Sequence, residues 1–427
     1  MTVQTDAPAR ERGQTDTPAR ERGQTDAPAE RVSHAGEEEK RRQARYPGRQ
    51  TWAAWPAYDA AELGFRGYWY PVAWSSNVAE GRPVRITLCG ENIVLVRDSN
   101  GLHALYDRCP HRGVPLSCGS QEFDGTISCA YHGWTFDTTT GRLGAVITDG
   151  PDSPICGKVS VATYPVEEHL NLIWVYMGAD GEEPTPLLDQ IPEELRGAAF
   201  NLGGRIKVRK GDWRLTCENG FDEGHAKFLH RNAMWRRFKS MPVWNLTTLE
   251  KRGRWLFRVQ TEQHWTAEFP GYGTWPPQRE SRFRIKPSTD GTQSISNTGN
   301  PRAPHPQIAA QDFPGFVSVS LPGVLRVVYP DFIHYEFYVP YDAEHHRYVG
   351  LMVNFDSGIR SLLFKAKYLG FVRWFFHGLF AAQDAWMVDE TDAPPERLYR
   401  PDVSLTTWRS MCEDAAEERA TRLNPTA

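Results

Sequence analysis

Apolar residues are spread very unevenly along the chain. Before Trp52 there is no Ile, Leu, Phe, Trp or Cys, and a ten-residue unit runs as TDAPARERGQ over 5–14 and TDTPARERGQ over 15–24 before breaking off after TDAPA. A segment with so little apolar surface cannot offset the entropy of ordering, so residues 1–51 read as a disordered, repeat-containing tail. From Tyr68 to about Asp180 the pattern changes to short β-rich runs bounded by turn residues: 84–88, 92–96, 102–107, 126–129 and 172–177. The turns Cys89-Gly90-Glu91, Asp98-Ser99-Asn100-Gly101 and Thr139-Thr140-Gly141 suit hairpins between them. This predicts an all-β domain over 52–180, with a linker-like stretch at 181–186.

Beyond that boundary, runs at 206–215, 255–261, 316–320, 325–328, 335–339 and 347–355 read as strands, and helical patterns lie near 216–231 and 361–390. The fold class expected is α+β, with a second α+β domain over 181–410 and a C-terminal tail over 411–427. The most apolar long stretch, 362–388, is interrupted by Lys365, Lys367, Arg373, His377 and Asp384. Charges at that frequency are costly in hydrocarbon, so it reads as a buried or amphipathic helix, and no membrane partner is expected.

Composition narrows the partners. The chain has 427 residues, room for two core-forming domains. Its formal net charge of −4 lacks the basic footprint of a phosphate-backbone binder, so nucleic acid is not expected as a partner. Seven cysteines at irregular spacings, with no leader-like apolar segment at the start, point to a reducing cytoplasm without disulfides.

Two constellations carry chemistry. The first is Cys109-Pro-His111-Arg-Gly113 and, seventeen residues after His111 have intervened, Cys129-Ala-Tyr-His132-Gly133-Trp134. Two thiolates and two imidazoles suit structural zinc or a 2Fe-2S centre in which thiolates hold one iron and imidazoles the other. A zinc finger normally places two cysteines before two histidines, whereas each loop here carries one of each. Cys118 nearby reads as a packed thiol, since the four positions are already filled. The second constellation is Asn219-Gly-Phe-Asp222-Glu-Gly-His225, followed by His230. Two imidazoles plus a carboxylate form a facial triad that leaves coordination positions open. A spacing of five turns about 140° on an ideal helix, so a distorted or terminating helix is expected there.

The C-P-H-R-G and C-x-Y-H-G-W-x-F-D motifs resemble the Rieske domains of bacterial aromatic-ring oxygenases. Val114 and Tyr131 stand where respiratory Rieske proteins carry an extra cysteine. N-x2-D-x2-H-x4-H resembles the catalytic iron motif of the same family. The blocks Gly64-Phe65-Arg66, Trp69-Tyr70-Pro71-Val72, Trp213-Arg214-Leu215, 321–325 and 336–340 look like its carbazole-type branch. The resemblance implies one Rieske 2Fe-2S cluster on Cys109, His111, Cys129 and His132, and one mononuclear Fe(II) on His225, His230 and a distant acid. For that acid it points to Asp384, with Asp389 as runner-up. It assigns Asp222 as the acid bridging the iron histidine to His132 of a neighbouring subunit. It further implies a homotrimer, a separate ferredoxin and ferredoxin reductase, O2 as co-substrate and a hydrophobic, aromatic substrate undergoing angular or cis-dioxygenation. Monooxygenation or demethylation by the same metals is the alternative. A non-catalytic electron carrier or zinc module is the alternative of another class, and it would not need the second constellation. Phe313, Phe316, Phe332, Tyr335 and Phe337 are candidates for an apolar pocket.

Overall fold

The structure is a computed structural model in which residues 51–179, 181–197, 201–232, 243–275, 314–329, 331–391 and 395–424 are described. The tail expected over 1–51, apart from Thr51, lies outside these residues, as do Asp180 and Phe313.

Among the described residues, ten strands precede residue 180: β1 (Tyr68–Trp74), β2 (Val84–Leu88), β3 (Glu91–Asp98), β4 (Gly101–Tyr106), β5 (Thr126–Ser128), β6 (Trp134–Asp137), β7 (Leu143–Val146), β8 (Thr163–Tyr164), β9 (Val166–His169) and β10 (Leu172–Met177). They form three small sheets in the orders β1-β10-β9, β2-β3-β4-β8 and β5-β6-β7. The β2–β3 hairpin pairs Leu88 with Glu91 across Cys89 and Gly90, whose φ values of 50° and 77° are those of a tight two-residue turn matching strand twist.

The second half is built on a seven-stranded antiparallel sheet. Its strands are β11 (Asn201–Lys210), β12 (Trp244–Arg252), β13 (Trp255–His264), β16 (Val317–Ser320), β17 (Val324–Val328), β18 (Ile333–Pro340) and β19 (His345–Asn354), in the order β11-β19-β18-β17-β16-β13-β12. A separate hairpin joins β14 (Ala267–Phe269) to β15 (Gly273–Trp275). The helices that bear on the site are α1 (Trp213–Phe221), α2 (Gly224–Phe228), α3 (Gly358–Lys367), α4 (Ala381–Asp389) and α5 (Val403–Leu423).

Several boundaries differ from the sequence reading, each for a local reason. The strand expected over 206–215 stops at Lys210, because Gly211 has a φ of 109° and the Asp212 carboxylate accepts the Arg214 N–H at 2.8 Å, capping α1. The helical pattern near 216–231 is two helices, parted at Asp222, whose φ and ψ of −60° and 136° are extended. Most of residues 411–427, expected as a tail, belong to α5, which buries Trp408, Met411 and Cys412.

The two halves share a core. One cluster of buried side chains contains Trp69, Trp174 and Val175 together with Phe337, Val349 and Leu351, and the Trp174 and Phe337 rings meet edge to face at 5.6 Å. Strand β10 is buried at every position, which explains why it reads as an unbroken apolar run rather than an alternating one. A second cluster joins Trp52 and Tyr58 to Trp213 on α1 and Trp408 on α5. It fixes the helix that leads into Asp222.

Candidate metal centres and substrate cavity

Cys109 opens a loop after β4, and Cys129 opens one after β5. The two loops are closed by the same pair of backbone bonds. The Cys109 N–H donates to the Val114 carbonyl and the Gly113 N–H donates back to the Cys109 carbonyl, both at 2.8 Å. In the other loop the Cys129 N–H donates to the Trp134 carbonyl at 2.8 Å, and the Gly133 N–H to the Cys129 carbonyl at 3.0 Å. Gly133 has a φ of 62°, and a Cβ there would lie 2.7 Å from the Ile147 Cβ, so both conformation and space demand glycine.

The thiols of Cys109 and Cys129 are buried, whereas His111 is exposed and His132 half-buried. The two imidazole rings lie 4.7 Å apart, with Trp134 stacked on His111 at 4.9 Å and Tyr131 against His132 at 3.9 Å. Burial pushes the Cys109 thiol up to about 11, with the adjacent Cys129 thiol acting in the same direction. A positive metal relieves that penalty by taking the thiolate. The His132 Nδ1 is buried without a hydrogen-bond partner. Two inner thiols and two outer imidazoles, one nitrogen waiting for a ligand, fit a cluster held by two cysteines and two histidines. Cys118, exposed, stands apart.

The second centre forms where α1 ends. The Asp222 carboxylate accepts the backbone N–H groups of Gly224 and His225, both at 2.9 Å, and so caps the turn that carries His225. The His225 Nδ1 lies 3.1 Å from the Asp222 carbonyl, where it donates, and 3.4 Å from its carboxylate. This orients Nε2 toward Asp384, 3.6 Å from Oδ1. Helix α2 gives way to a tighter turn, Leu229–Asn232, before His230 is reached, so the helix changes type between the two histidines.

The His230 Nε2 lies 3.1 Å from the same Asp384 oxygen, yet without the direction of a hydrogen bond, and it is a buried nitrogen without a partner. The ligating atoms of His225, His230 and Asp384 all fall within 4.8 Å of one another. Such an arrangement suits donors aimed at a common ion rather than at each other. Asp389 is exposed at the end of α4 and outside this group.

Around the triad, the His230 Nδ1 meets the Gln383 Oε1 at 2.7 Å, its ring stacks on Phe380 at 4.0 Å, and the Asn219 amide donates to Asp384 at 3.2 Å. Gln383 and Phe380 were not singled out as functional from sequence, although Gln383 adjoins Asp384 in the chain. Burial pushes Asp222 up, but the His225 imidazole and the backbone N–H groups outweigh it and hold the carboxyl down at about 2. Burial likewise opposes, and His230, His225 and Asn219 outweigh it, in keeping Asp384 below the usual range.

His225 and Asp384 of the triad open on a cavity of about 350 Å³. Phe316 and Phe332 line it as expected, together with Tyr329, Phe375, Phe376 and Phe380. Tyr335 and Phe337 do not, because successive residues of a strand face opposite ways: on β18 His334, Glu336 and Tyr338 face the cavity, and the two expected aromatics lie in the core. Glu336 accepts the hydroxyl protons of Tyr338 and of Tyr348, the latter at 2.9 Å. Burial, and then the charge of Glu336, raises both tyrosines well above their ordinary value, so both stay protonated donors. Burial lowers His334, keeping that imidazole neutral.

Residues 68–165 match the family described as the Rieske [2Fe-2S] domain, and residues 176–246 match the homotrimeric ring hydroxylase family. The terminal oxygenase component of carbazole 1,9a-dioxygenase from Sphingomonas sp. is 33% identical over 385 residues, 84% of this chain and 93% of the relative. Among solved structures, the terminal oxygenase of carbazole 1,9a-dioxygenase from Nocardioides aromaticivorans IC177 superposes with a TM-score of 0.69 at 29% identity, covering 86% of this chain and 98% of that one. The reduced complex between oxygenase and ferredoxin in carbazole 1,9a-dioxygenase gives a TM-score of 0.69 at 25% identity, with 85% of this chain and 92% of that chain covered.

Proposed function

This chain belongs to the Rieske-type aromatic-ring-hydroxylating oxygenases, and from that premise we propose that it hydroxylates a fused heteroaromatic substrate in the cavity beside His225, His230 and Asp384. It is an oxidoreductase with a Rieske 2Fe-2S domain. The observation that carries the substrate reading is the convergence of two histidines and one carboxylate beside a cavity to which Phe316, Tyr329, Phe332, Phe375, Phe376 and Phe380 contribute rings.

When bound, the mononuclear iron would supply O2 activation and the cluster would supply one-electron chemistry. The chain's own residues do the rest. His225, His230 and Asp384 would hold the metal. Gln383 and the Asp222 carbonyl accept the Nδ1 protons of the two imidazoles, which fixes both rings with Nε2 inward. Tyr329, Phe332 and Phe376 close an aromatic wall that excludes water and takes a flat ring. His334, whose ring meets that of Phe376 edge to face at 6.1 Å, and Glu336 give the lining hydrogen-bonding capacity, which favours a ring carrying a heteroatom over a plain hydrocarbon.

Cys109, His111, Cys129 and His132 hold the cluster, and Asp222 links the His225 site to His132 of a neighbouring copy in a homotrimer. The similarity to homotrimeric ring hydroxylases supports the ring arrangement, and the exposed imidazole end of the cluster loops supports transfer between copies. A ferredoxin supplies the electrons, as the known complex of a related oxygenase with ferredoxin suggests, and a reductase reloads it from NAD(P)H. The parts over 52–180 and 181–410 carry the cluster and the iron respectively.

Product analysis with isotopically labelled O2 tests this reading. Purified oxygenase with a ferredoxin and its reductase is offered carbazole, fluorene and methoxylated or alicyclic controls. Both labelled oxygens in an angular or cis-diol from carbazole, formed in preference to any product from fluorene, bear it out. Turnover confined to O-demethylation or to alicyclic substrates refutes it.

A further inference from the structure

Residues 358–389 run as one helical stretch: α3, two wider π-turns (Tyr368–Val372 and Phe375–Phe380), and α4. Phe364, Tyr368, Val372 and Phe375 are buried against the body of the protein. An ordinary surface helix shows polar residues on its other side. This one shows a second apolar face. Ile359 is 75% exposed, Leu369 67% and Trp374 54%, and Leu362, Leu363 and Ala366 are exposed with them.

At 3.6 residues per turn the four buried residues fall on one side of the helix and these six on the other. Arg360 and Lys367 lie along one border of the exposed face and Lys365 along the other, while Arg373 is exposed among them. No Asp or Glu occurs between Gly358 and Gln383.

We propose that this face docks the protein onto an anionic lipid surface, with the helix lying in the plane of the headgroups. An apolar stripe bordered by cations, with a Trp at its edge, is the pattern of an interfacial helix, and the cations match a negatively charged leaflet. Among the described residues no helix is long and apolar enough to cross a membrane, so the contact is lateral. This departs from the sequence expectation that the protein has no membrane partner.

A second copy fits the face less well. Self-pairing would set Arg360, Lys365 and Lys367 against the same cations. Exchange between copies concerns the surface near Asp222 and His132, and Leu369 lies fifteen residues before Asp384, about 20 Å along the helix. The docking itself does not depend on the oxygenase reading. The same stretch sends Phe375, Phe376 and Phe380 into the cavity from the side opposite the docked face, so docking would bring the cavity within one helix of the bilayer.

The experiment uses the full-length, metal-loaded protein with vesicles of phosphatidylcholine alone or with one third phosphatidylglycerol, read by flotation and by quenching of Trp fluorescence with brominated acyl chains. The protein should float with the anionic vesicles, at least tenfold more strongly than with the neutral ones, and quenching should fall in W374F. Partition should drop at least tenfold in L369S/W374S and in R360E/K365E, both checked for an unchanged cluster spectrum. Failure to float, or flotation that both double variants leave intact, overturns the proposal. So does conversion of the L369S/W374S variant to monomers, which would make the face an interface between copies.

Discussion

Replacing Gln383 by Leu removes the acceptor that, among the described residues, takes the Nδ1 proton of His230, without changing the size of the side chain much. His230 is fully buried, and the contact it loses is 2.7 Å long. In the metal-free protein the imidazole can move its proton to Nε2, which faces the Asp384 carboxylate at 3.1 Å. With metal on Nε2 the proton is forced onto Nδ1, where leucine accepts nothing. The penalty therefore falls on the metal-bound state. A buried N–H left unpaired costs about 1–3 kcal/mol, which at about 1.4 kcal/mol per tenfold is roughly 5- to 150-fold in iron affinity. That range brackets the ~10–100-fold losses known when such partners of metal-bound imidazoles are removed. The assay is anaerobic competition with a chromogenic Fe(II) chelator, using the visible absorption of the Rieske cluster as internal reference. Q383E, which keeps an acceptor, should hold iron at least as tightly as the wild type. If Q383L gives up iron at the same chelator concentration as the wild type, or loses the cluster in step with the iron, the reasoning is wrong.

D222N should retain both metal centres, yet slow cluster oxidation in single-turnover experiments by about 10–100-fold; oxidation at the wild-type rate would make Asp222 a helix cap only. R409M leaves Glu218 buried without the bidentate contacts at 2.6 and 2.8 Å, an uncompensated charge that costs about 3–5 kcal/mol. The urea midpoint should fall accordingly, and an unchanged midpoint would show that Glu218 finds another partner. Burial holds His346 down at about 4, against about 6.5 in an unfolded chain. Between those values the unfolded chain binds a proton that the folded one does not, so stability is complete above about 6.5 and falls toward pH 4 by up to about 3 kcal/mol. H346N, whose amide can still donate to the Gly211 carbonyl as the Nδ1 does at 2.9 Å, should flatten that part of the urea-midpoint profile; an unaltered slope would place the titration elsewhere.

Local chemistry was legible in the sequence, and phase was not. Cys109, His111, Cys129, His132, His225 and His230 stand in short motifs whose residue types and spacing already state a ligand set. Asp384 lies 154 residues beyond His230, and only resemblance pointed to it, because nothing local distinguishes a liganding aspartate from an exposed one. On β18 the aromatic character of Tyr335 and Phe337 suggested a pocket, whereas their position in the strand alternation turned them into the core and brought His334 and Glu336 to the cavity. The end of β11 depended on a single cap, Asp212, that outweighed the strand-like character of Trp213 to Leu215. Helix α5 was hidden by its charged composition, since its buried apolar residues are Trp408, Met411 and Cys412, three and one residues apart, and the rest of its buried contact is polar, through Ser404 and Arg409.

The core that joins β1 and β10 to the catalytic sheet bears on how this protein can be taken apart. A cut near residue 180 divides the two candidate metal sites cleanly but exposes Trp69, Trp174 and Val175 on one fragment and Phe337, Val349 and Leu351 on the other. Neither fragment would be a closed unit, and chimeras that exchange cluster modules between related oxygenases would join mismatched halves of one apolar layer. The interchangeable piece is smaller than the sequence boundary implies: the cluster loops with β3 to β7, where Val94, Val96 and Leu105 of β3 and β4 pack with Leu116, Ile127 and Phe136 in one buried cluster. Transplanting that inner module, and leaving β1 and β10 with the host sheet, is the division the packing permits.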